Sequence, residues 1–237
     1  MYGQDTSWLY EVQHSARGKD YAAEADVVVD AIADLGVAGG KLLDVACGTG
    51  GHFSYFRSRF EHVEGIDLSE PMLSVARDRF PDLRLHQGDM RTFELDTRFD
   101  AITCLFASIA YVDSEPSLVT TLENFARHLR PGGVVAVEPW WTPDRFLDRH
   151  VSCDLIESEG FTVARASHTV RDDDASAMTV HYLISSAAEG VRHVEEVHRA
   201  MLFSHEQYAA AFDRAGLSSS YVPDVLSGRG LYLGVRA

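Results

Sequence analysis

The sequence predicts an α/β fold: a doubly wound, mostly parallel, seven-stranded sheet with an inserted antiparallel β-meander. Three observations carry this expectation. Short apolar runs of strand length alternate with helical stretches between residues 21 and 137. A glycine-rich turn joins the first of these runs to the helix that follows it. After Trp141 the alternation stops: three extended segments follow one another, and a helix and two further strands then complete the sheet.

Taken in order, residues 1–20 are polar and aromatic, and residues 21–35 carry apolar side chains at helical spacing. Gly39-Gly40 break that helix. Residues 41–46 form a short apolar run that reads as a buried strand, and Gly48-Thr49-Gly50-Gly51 turn the chain into a helix through Phe53, Phe56 and Phe60. Strands are expected at 62–67, 83–86, 99–106 and 134–137, with helices at 70–80 and 118–129, the latter stopped by Pro131-Gly132-Gly133. The meander is expected at 162–170, 177–185 and 192–203, with turns at Asp172-Asp173-Asp174 and 187–190. Ser204 with Gln207 three residues on has capping-box spacing for a helix that stops at Gly216, and strands at 219–222 and 230–235 finish the chain. The expected organisation is therefore a core of residues 1–141 plus 204–237, with 142–203 inserted as a roof.

A chain of 237 residues suffices for one such elaborated domain. No apolar run reaches the roughly 18 residues of a membrane helix, and no signal peptide is read at the start. Three scattered cysteines fit a reduced cytoplasm better than a disulfide framework or zinc site. The eleven histidines, His193 and His198 included, form no metal-ligand motif, so no metal is expected, and the Asp172-Asp173-Asp174 run reads as a solvated turn. A formal charge of −15 opposes phosphate backbones, so nucleic acid is not an expected partner. A phosphorylated small substrate would need a local Arg or Lys against that field.

The central motif is Leu43-Asp44-Val45-Ala46-Cys47-Gly48-Thr49-Gly50. Gly48 and Gly50 let a ligand approach the backbone where such sheets bind ligands, at the carboxyl ends of strands. Asp67 ends the second strand about 20 residues on, where a carboxylate accepts from ribose hydroxyls, a feature shared by dinucleotide and S-adenosylmethionine sites. Asp89 and Met90 follow the third strand, positioned to bind an adenine amino group and pack on its ring, and Phe106 can cover the other side. The dinucleotide pattern Gly-x-Gly-x-x-Gly is absent.

With Pro131-Gly132-Gly133, this constellation makes residues 41–139 resemble the class I S-adenosylmethionine-dependent methyltransferases. Ala46 departs from the glycine that family often has there, and its backbone is still expected to touch the cofactor. The chain is further similar, over nearly its full length, to the nucleotide-sugar N,N-dimethyltransferases that make dimethylamino deoxysugars such as desosamine and mycaminose. The carrying residues are Gly18-Lys19-Asp20-Tyr21, His86-Gln87-Gly88-Asp89-Met90-Arg91, Val137-Glu138-Pro139-Trp140-Trp141, Ser167-His168 and Ser227-Gly228-Arg229-Gly230-Leu231.

The resemblance implies N,N-dimethylation of a dTDP-linked amino-deoxyhexose of the 3-amino-3,6-dideoxy type by S-adenosylmethionine, in a homodimer. It implies cofactor contacts from Tyr10, Tyr21, Asp44, Ala46, Gly48, Gly50, Asp67, Asp89, Met90 and Phe106. Arg229, flanked by glycines, suits a diphosphate by its bidentate fork. Trp140 and Trp141 can wall the sugar or base. His168 and His181 are candidate polar contacts from the roof, and Tyr2 with Tyr10 a candidate lid. Attack of a neutral amine on a sulfonium methyl needs mainly alignment. Tyr111 can orient the amine or relay its proton, and Glu138 is the alternative acceptor. An O- or N-methyltransferase of another small molecule, or a silent binding module, remain the competing readings.

Overall fold

The computed structural model describes residues 9–158 and 160–237. Tyr2 lies outside them. A short helix, α1 (Leu9–Ala16), precedes α2 (Tyr21–Ala33), which the Asp20 carboxylate caps by accepting from the Ala22 and Ala23 N–H groups, both at 3.0 Å. The core then runs β1 (Lys41–Val45), α3 (Phe53–Phe56), β2 (His62–Asp67), α4 (Glu70–Arg79), β3 (Arg84–Gln87) and β4 (Phe99–Cys104). A 3₁₀ turn (Ser108–Tyr111), α5 (Glu115–His128) and β5 (Leu129–Val137) follow. Ser69 and Ser114 cap α4 and α5, each with Pro in the first helical turn, where its missing N–H costs nothing.

The chain then leaves this sheet for β6 (His150–Ser158), β7 (Phe161–Asp172), β8 (Ala175–Ser186) and β9 (Gly190–Met201), a separate antiparallel meander. It returns through α6 (His205–Arg214), β10 (Leu217–Val222) and β11 (Leu231–Arg236). The expected capping box of Ser204 and Gln207 starts α6. The seven strands lie in the order β10-β11-β5-β4-β1-β2-β3; β11 runs antiparallel to both neighbours, and β3-β2-β1-β4-β5 are parallel. Strand order reverses between β1 and β4, so their carboxyl ends open a crevice there.

Strand alternation splits the core. Leu43, Val45, Ile102, Val135 and Val137 pack with α5 and α6 on one face; Leu42, Ala101, Val134 and Ala136 pack with α2, α3 and α4 on the other. A third cluster joins Leu9 of α1 to Ile156, Val163, Val180, Tyr182 and Ile184 of the meander.

Several element boundaries differ from expectation. The meander has four strands, because residues 150–158 form β6. The helix expected through Phe60 is the single turn α3. Pro131, Gly132 and Gly133 lie inside β5, beside a register shift between Phe99 and Ala101 that absorbs the proline and the Gly132 φ of +76°.

Candidate active site

The turn after β1 sets the first wall. Ala46 (φ +57°), Gly48 (+56°) and Gly50 (+78°) all take left-handed backbone conformations. A Cβ at Gly48 would meet nothing within 4 Å, because that side faces a cavity. A Cβ at Gly50 would overlap the Phe53 ring, and Gly50 does not line the cavity. Its glycine serves packing of the turn, which corrects the expectation of a ligand contact there. Asp67 ends β2 and accepts from Gly48 N and Ser69 N, each at 2.8 Å, while burial raises its carboxyl. Leu68 N is a third backbone donor, which leaves the carboxylate one lone pair for a hydroxyl.

A side pocket of about 30 Å³, enough for one small polar group, lies behind this turn between Tyr10, Lys19, Tyr21, Asp44, Ala46, His52 and Phe106. The Tyr21 hydroxyl is buried there without a hydrogen-bond partner, and burial pushes its phenol up. Asp44 is buried, accepts from Thr103 Oγ1 at 2.7 Å, and is pushed up to about 6 by burial. Glu24 accepts from Lys19 Nζ at 2.6 Å and lies 3.0 Å from His52 Nε2. Burial works to raise the Glu24 carboxyl, but these two partners prevail and hold it below its ordinary value. Lys19, in turn lowered by burial, stands 3.8 Å over the Phe106 ring.

The main cavity, about 1390 Å³, runs from the carboxyl ends of β1, β2 and β4 to the inner face of the meander. Single-ligand pockets are roughly 300–1,000 Å³, so it has room for two molecules. Tyr10, Ala46, Gly48, Asp67, Asp89, Met90, Phe106, Tyr111, Trp140, Trp141 and Arg229 all line it. Met90 also packs on the core. Asp89 is half-buried and accepts from Arg91 Nη2 at 2.6 Å and from Arg91 N at 2.9 Å. The Arg91 side chain holds its carboxyl below the usual range. An adenine amino group would therefore compete with Arg91. Phe106 is edged by the His14 ring at 4.7 Å and the Tyr10 ring at 6.3 Å, with the Arg229 guanidinium at 5.8 Å. Burial pushes the His14 imidazole down to about 3, so this ring packs on Phe106 uncharged near pH 7.

Two expectations change at the floor. Arg229 is not a free fork: its guanidinium is paired with Glu138, and the side chains are 9% and 3% exposed. Nor is Glu138 a free proton acceptor. Its Oε1 takes Arg229 Nε at 3.1 Å, and its Oε2 takes Phe106 N at 2.6 Å. Trp140 and Trp141 lie 5.6 and 6.0 Å from the same guanidinium, and Trp140 Nε1 donates to Ser176 Oγ at 2.9 Å.

In the roof, β7 alternation turns Arg165, Ser167 and Thr169 to the cavity and His168 outward. His181 is likewise exposed, 3.0 Å from His193 and 3.5 Å from Glu195. Neither histidine lines the cavity, because both occupy outward strand positions. Among the described residues, His181, His193 and Glu195 are the one cluster that offers a metal ion three ligands. Unanticipated by the sequence, Tyr111 Oη lies 3.1 Å from His198 Nδ1, whose Nε2 lies 3.2 Å from Glu196 Oε2. Arg165, 6% exposed, bonds Ser167 Oγ at 3.1 Å and Asp154 at 3.4 Å, while its Nε has no partner. Seven Arg or Lys and five carboxylates line the cavity, a local positive excess within a chain of charge −15.

Residues 42–133 match the family model described as a methyltransferase domain. The chain is 46% identical over 237 residues to the dTDP-3-amino-3,4,6-trideoxy-alpha-D-glucopyranose N,N-dimethyltransferase of Streptomyces venezuelae, covering all of both chains. It is 44% identical to the dTDP-3-amino-3,6-dideoxy-alpha-D-glucopyranose N,N-dimethyltransferase of Streptomyces fradiae, over 99% of this chain and 92% of that one. Among solved structures it is similar to SAM-bound CalS10, an amino pentose methyltransferase from Micromonospora echinaspora involved in calicheamicin biosynthesis. That match has a TM-score of 0.89 at 43% identity and covers 100% of this chain and 98% of the other.

Proposed function

We propose, from the premise that this chain belongs to the N,N-dimethyltransferases of dTDP-linked amino sugars, that it places two methyl groups on the amine of a dTDP-3-amino-3,6-dideoxyhexose in the building of a glycosylated natural product. The chain is a methyltransferase, and S-adenosylmethionine is its methyl donor.

The residues present fit that cofactor. The open side of Gly48 and the spare lone pair of Asp67 would take the adenosine, with Met90 and Ala46 along its edge. The orphaned Tyr21 hydroxyl and buried Asp44, with Lys19 close by, would take one polar group of the amino-acid end at the side pocket. S-adenosylmethionine supplies an electrophilic methyl whose departure leaves a neutral thioether. The chain's own work is alignment: Trp140 and Trp141 wall the acceptor, Tyr111 orients its amine, and Tyr10 with Phe106 stands between the main cavity and the side pocket. Arg229 and Glu138 hold the Phe106 turn and the tryptophans in place. A diphosphate is then best matched by Arg165, which lines the cavity and keeps one buried N–H without a partner, with Arg17 next to it on Asp154.

The single observation that carries the substrate class is this positive excess around an unsatisfied arginine. The test is incubation with S-adenosylmethionine and either the dTDP-linked amino sugar or the same sugar without its nucleotide. Mass spectrometry should find two added methyl groups on the nucleotide sugar only; equal methylation of the free sugar would refute the reading.

No helix among the described residues is long and apolar enough to cross a membrane, and a cytoplasmic location suits three free cysteines. A homodimer would cover the outer face of the meander, where Val151, Leu155 and Leu183 are exposed beside His168 and His181. Sedimentation of wild type against a Leu155→Lys, Leu183→Lys variant tests it.

A further inference from the structure

We infer that His198 and Glu196, on the inner face of the roof, receive through Tyr111 the proton that the acceptor amine must shed, and so govern the second methylation. This rests on the function proposed above and adds to it two positioning residues from β9.

The hydrogen-bond inventory sets the direction. An ionised Glu196 carboxylate only accepts, so the His198 Nε2 that lies 3.2 Å from it carries a hydrogen. In the neutral ring Nδ1 is then bare, and it can only accept from the Tyr111 hydroxyl at 3.1 Å. The phenol oxygen's lone pairs remain for a donor in the cavity. The chain therefore runs from cavity to Tyr111 to His198 to Glu196. His198 and Glu196 are 3% and 9% exposed, whereas Tyr111 is 50% exposed, its open side facing the cavity.

The chemistry needs such a path. When an N–CH₃ bond forms and the S–CH₃ bond breaks, its electron pair stays on sulfur and the nitrogen becomes an ammonium. That nitrogen attacks again only after losing a proton. The N–H proton passes to Tyr111 Oη as the Oη–H proton passes to His198 Nδ1, leaving a neutral amine and an imidazolium beside Glu196. The imidazolium returns its proton to water through the exposed side of Tyr111. The first methylation can start from an amine that enters neutral from solution, but the monomethyl ammonium is made in place, so the second step depends on the path.

Among the described residues, the titratable and charged groups that face this pair include Tyr111 on the 3₁₀ turn, 3.1 Å from His198, Glu196 on the same strand as His198, and Tyr182 on β8, which feels the charges of Glu196 and of Arg165 on β7. Direct ionisation of Tyr111 is not the route. Although half its surface opens to the cavity, burial of the phenol and the nearby Glu196 push it up to about 12.

The test compares wild type, Tyr111→Phe and His198→Asn, following mono- and dimethylated nucleotide sugar separately from about pH 7 to about pH 9.5. In both variants the second methylation should slow by about 10²-fold with KM for the nucleotide sugar within about twofold, so monomethyl product accumulates. The loss should shrink at high pH, where solvent accepts the proton. Tyr111→Phe removes one oxygen and guards against misfolding of the histidine variant. A wild-type ratio of products and an unchanged pH profile in both variants would overturn the inference. Wild type that methylates no amino-sugar nucleotide would instead defeat the functional reading, and this inference with it. Independently, ¹⁵N resonances of His198 in the unmutated protein should report the Nε2–H tautomer; the Nδ1–H tautomer would reverse the path and overturn it.

Discussion

Arg229 and Glu138, ninety-one residues apart in the chain, form an ion pair sealed under Trp140 and Phe106. A buried pair is costly to halve, because the remaining charge keeps its desolvation penalty. Arg229→Met and Glu138→Leu should each lower stability by about 3–5 kcal/mol, whereas the double variant should lose less than the sum. Urea unfolding of the four proteins measures this. A free phosphate clamp would behave otherwise: Arg229→Met would weaken thymidine diphosphate binding and leave unfolding unchanged.

Ala46 holds φ at +57° in the turn that faces the cavity, a conformation that costs a side-chain-bearing residue about 1 kcal/mol. Ala46→Gly should raise stability by up to about 1 kcal/mol, with the cofactor's Kd unchanged because the backbone does the binding. Thermal unfolding with and without S-adenosylhomocysteine checks both parts. A drop in stability would mean that the methyl of Ala46 packs usefully.

Burial pushes the Asp44 carboxyl up to about 6, above its unfolded value of about 4. The folded state then binds this proton more tightly than the unfolded chain does. Stability from this group is therefore present at low pH, falls as pH rises from about 4 to about 6, and is level above that. Asp44→Asn should remove this slope and stabilise the unliganded protein near pH 7.5 by on the order of 2 kcal/mol, while weakening cofactor binding. Melting temperatures of both proteins across that range give the answer; parallel curves would remove the carboxylate from the account.

How much of this was readable in the residues depends on periodicity. The parallel strands around Asp44, Asp67 and Cys104 announce themselves as apolar runs between glycines, and Ser204-x-x-Gln207 announces a capped helix. β6 does not, because its apolar Val151 and Leu155 are exposed while Ser152 lines the cavity and Asp154 meets Arg165. Inward and outward are reversed from the usual pattern, so the alternation points the wrong way. The same reversal hid which meander residues face the site: His168 looked chemically apt, but its neighbours Ser167 and Thr169 point inward. The Lys19–Glu24–His52 cluster and the Tyr111–His198 contact join separated segments, the latter across 87 residues, and no local spacing encodes them.

Arg165 allows a final prediction, because its role separates charge from geometry. Asp154 is shared by Arg17 at 3.3 Å and Arg165 at 3.4 Å, so Arg165→Lys keeps a cation near that carboxylate and should cost the fold little. What lysine lacks is the planar guanidinium fork that matches phosphate oxygens. The variant should therefore raise KM for the dTDP-linked sugar by about tenfold, equivalent to about 1.4 kcal/mol, with kcat nearly unchanged, since the lost contact is equally present before and during methyl transfer. Calorimetric titration with thymidine diphosphate should show the same loss without any sugar, with the dependence on salt retained, because lysine keeps the charge. Unaltered nucleotide affinity would place the diphosphate elsewhere in the cavity, against Arg145 or Arg199 near its mouth.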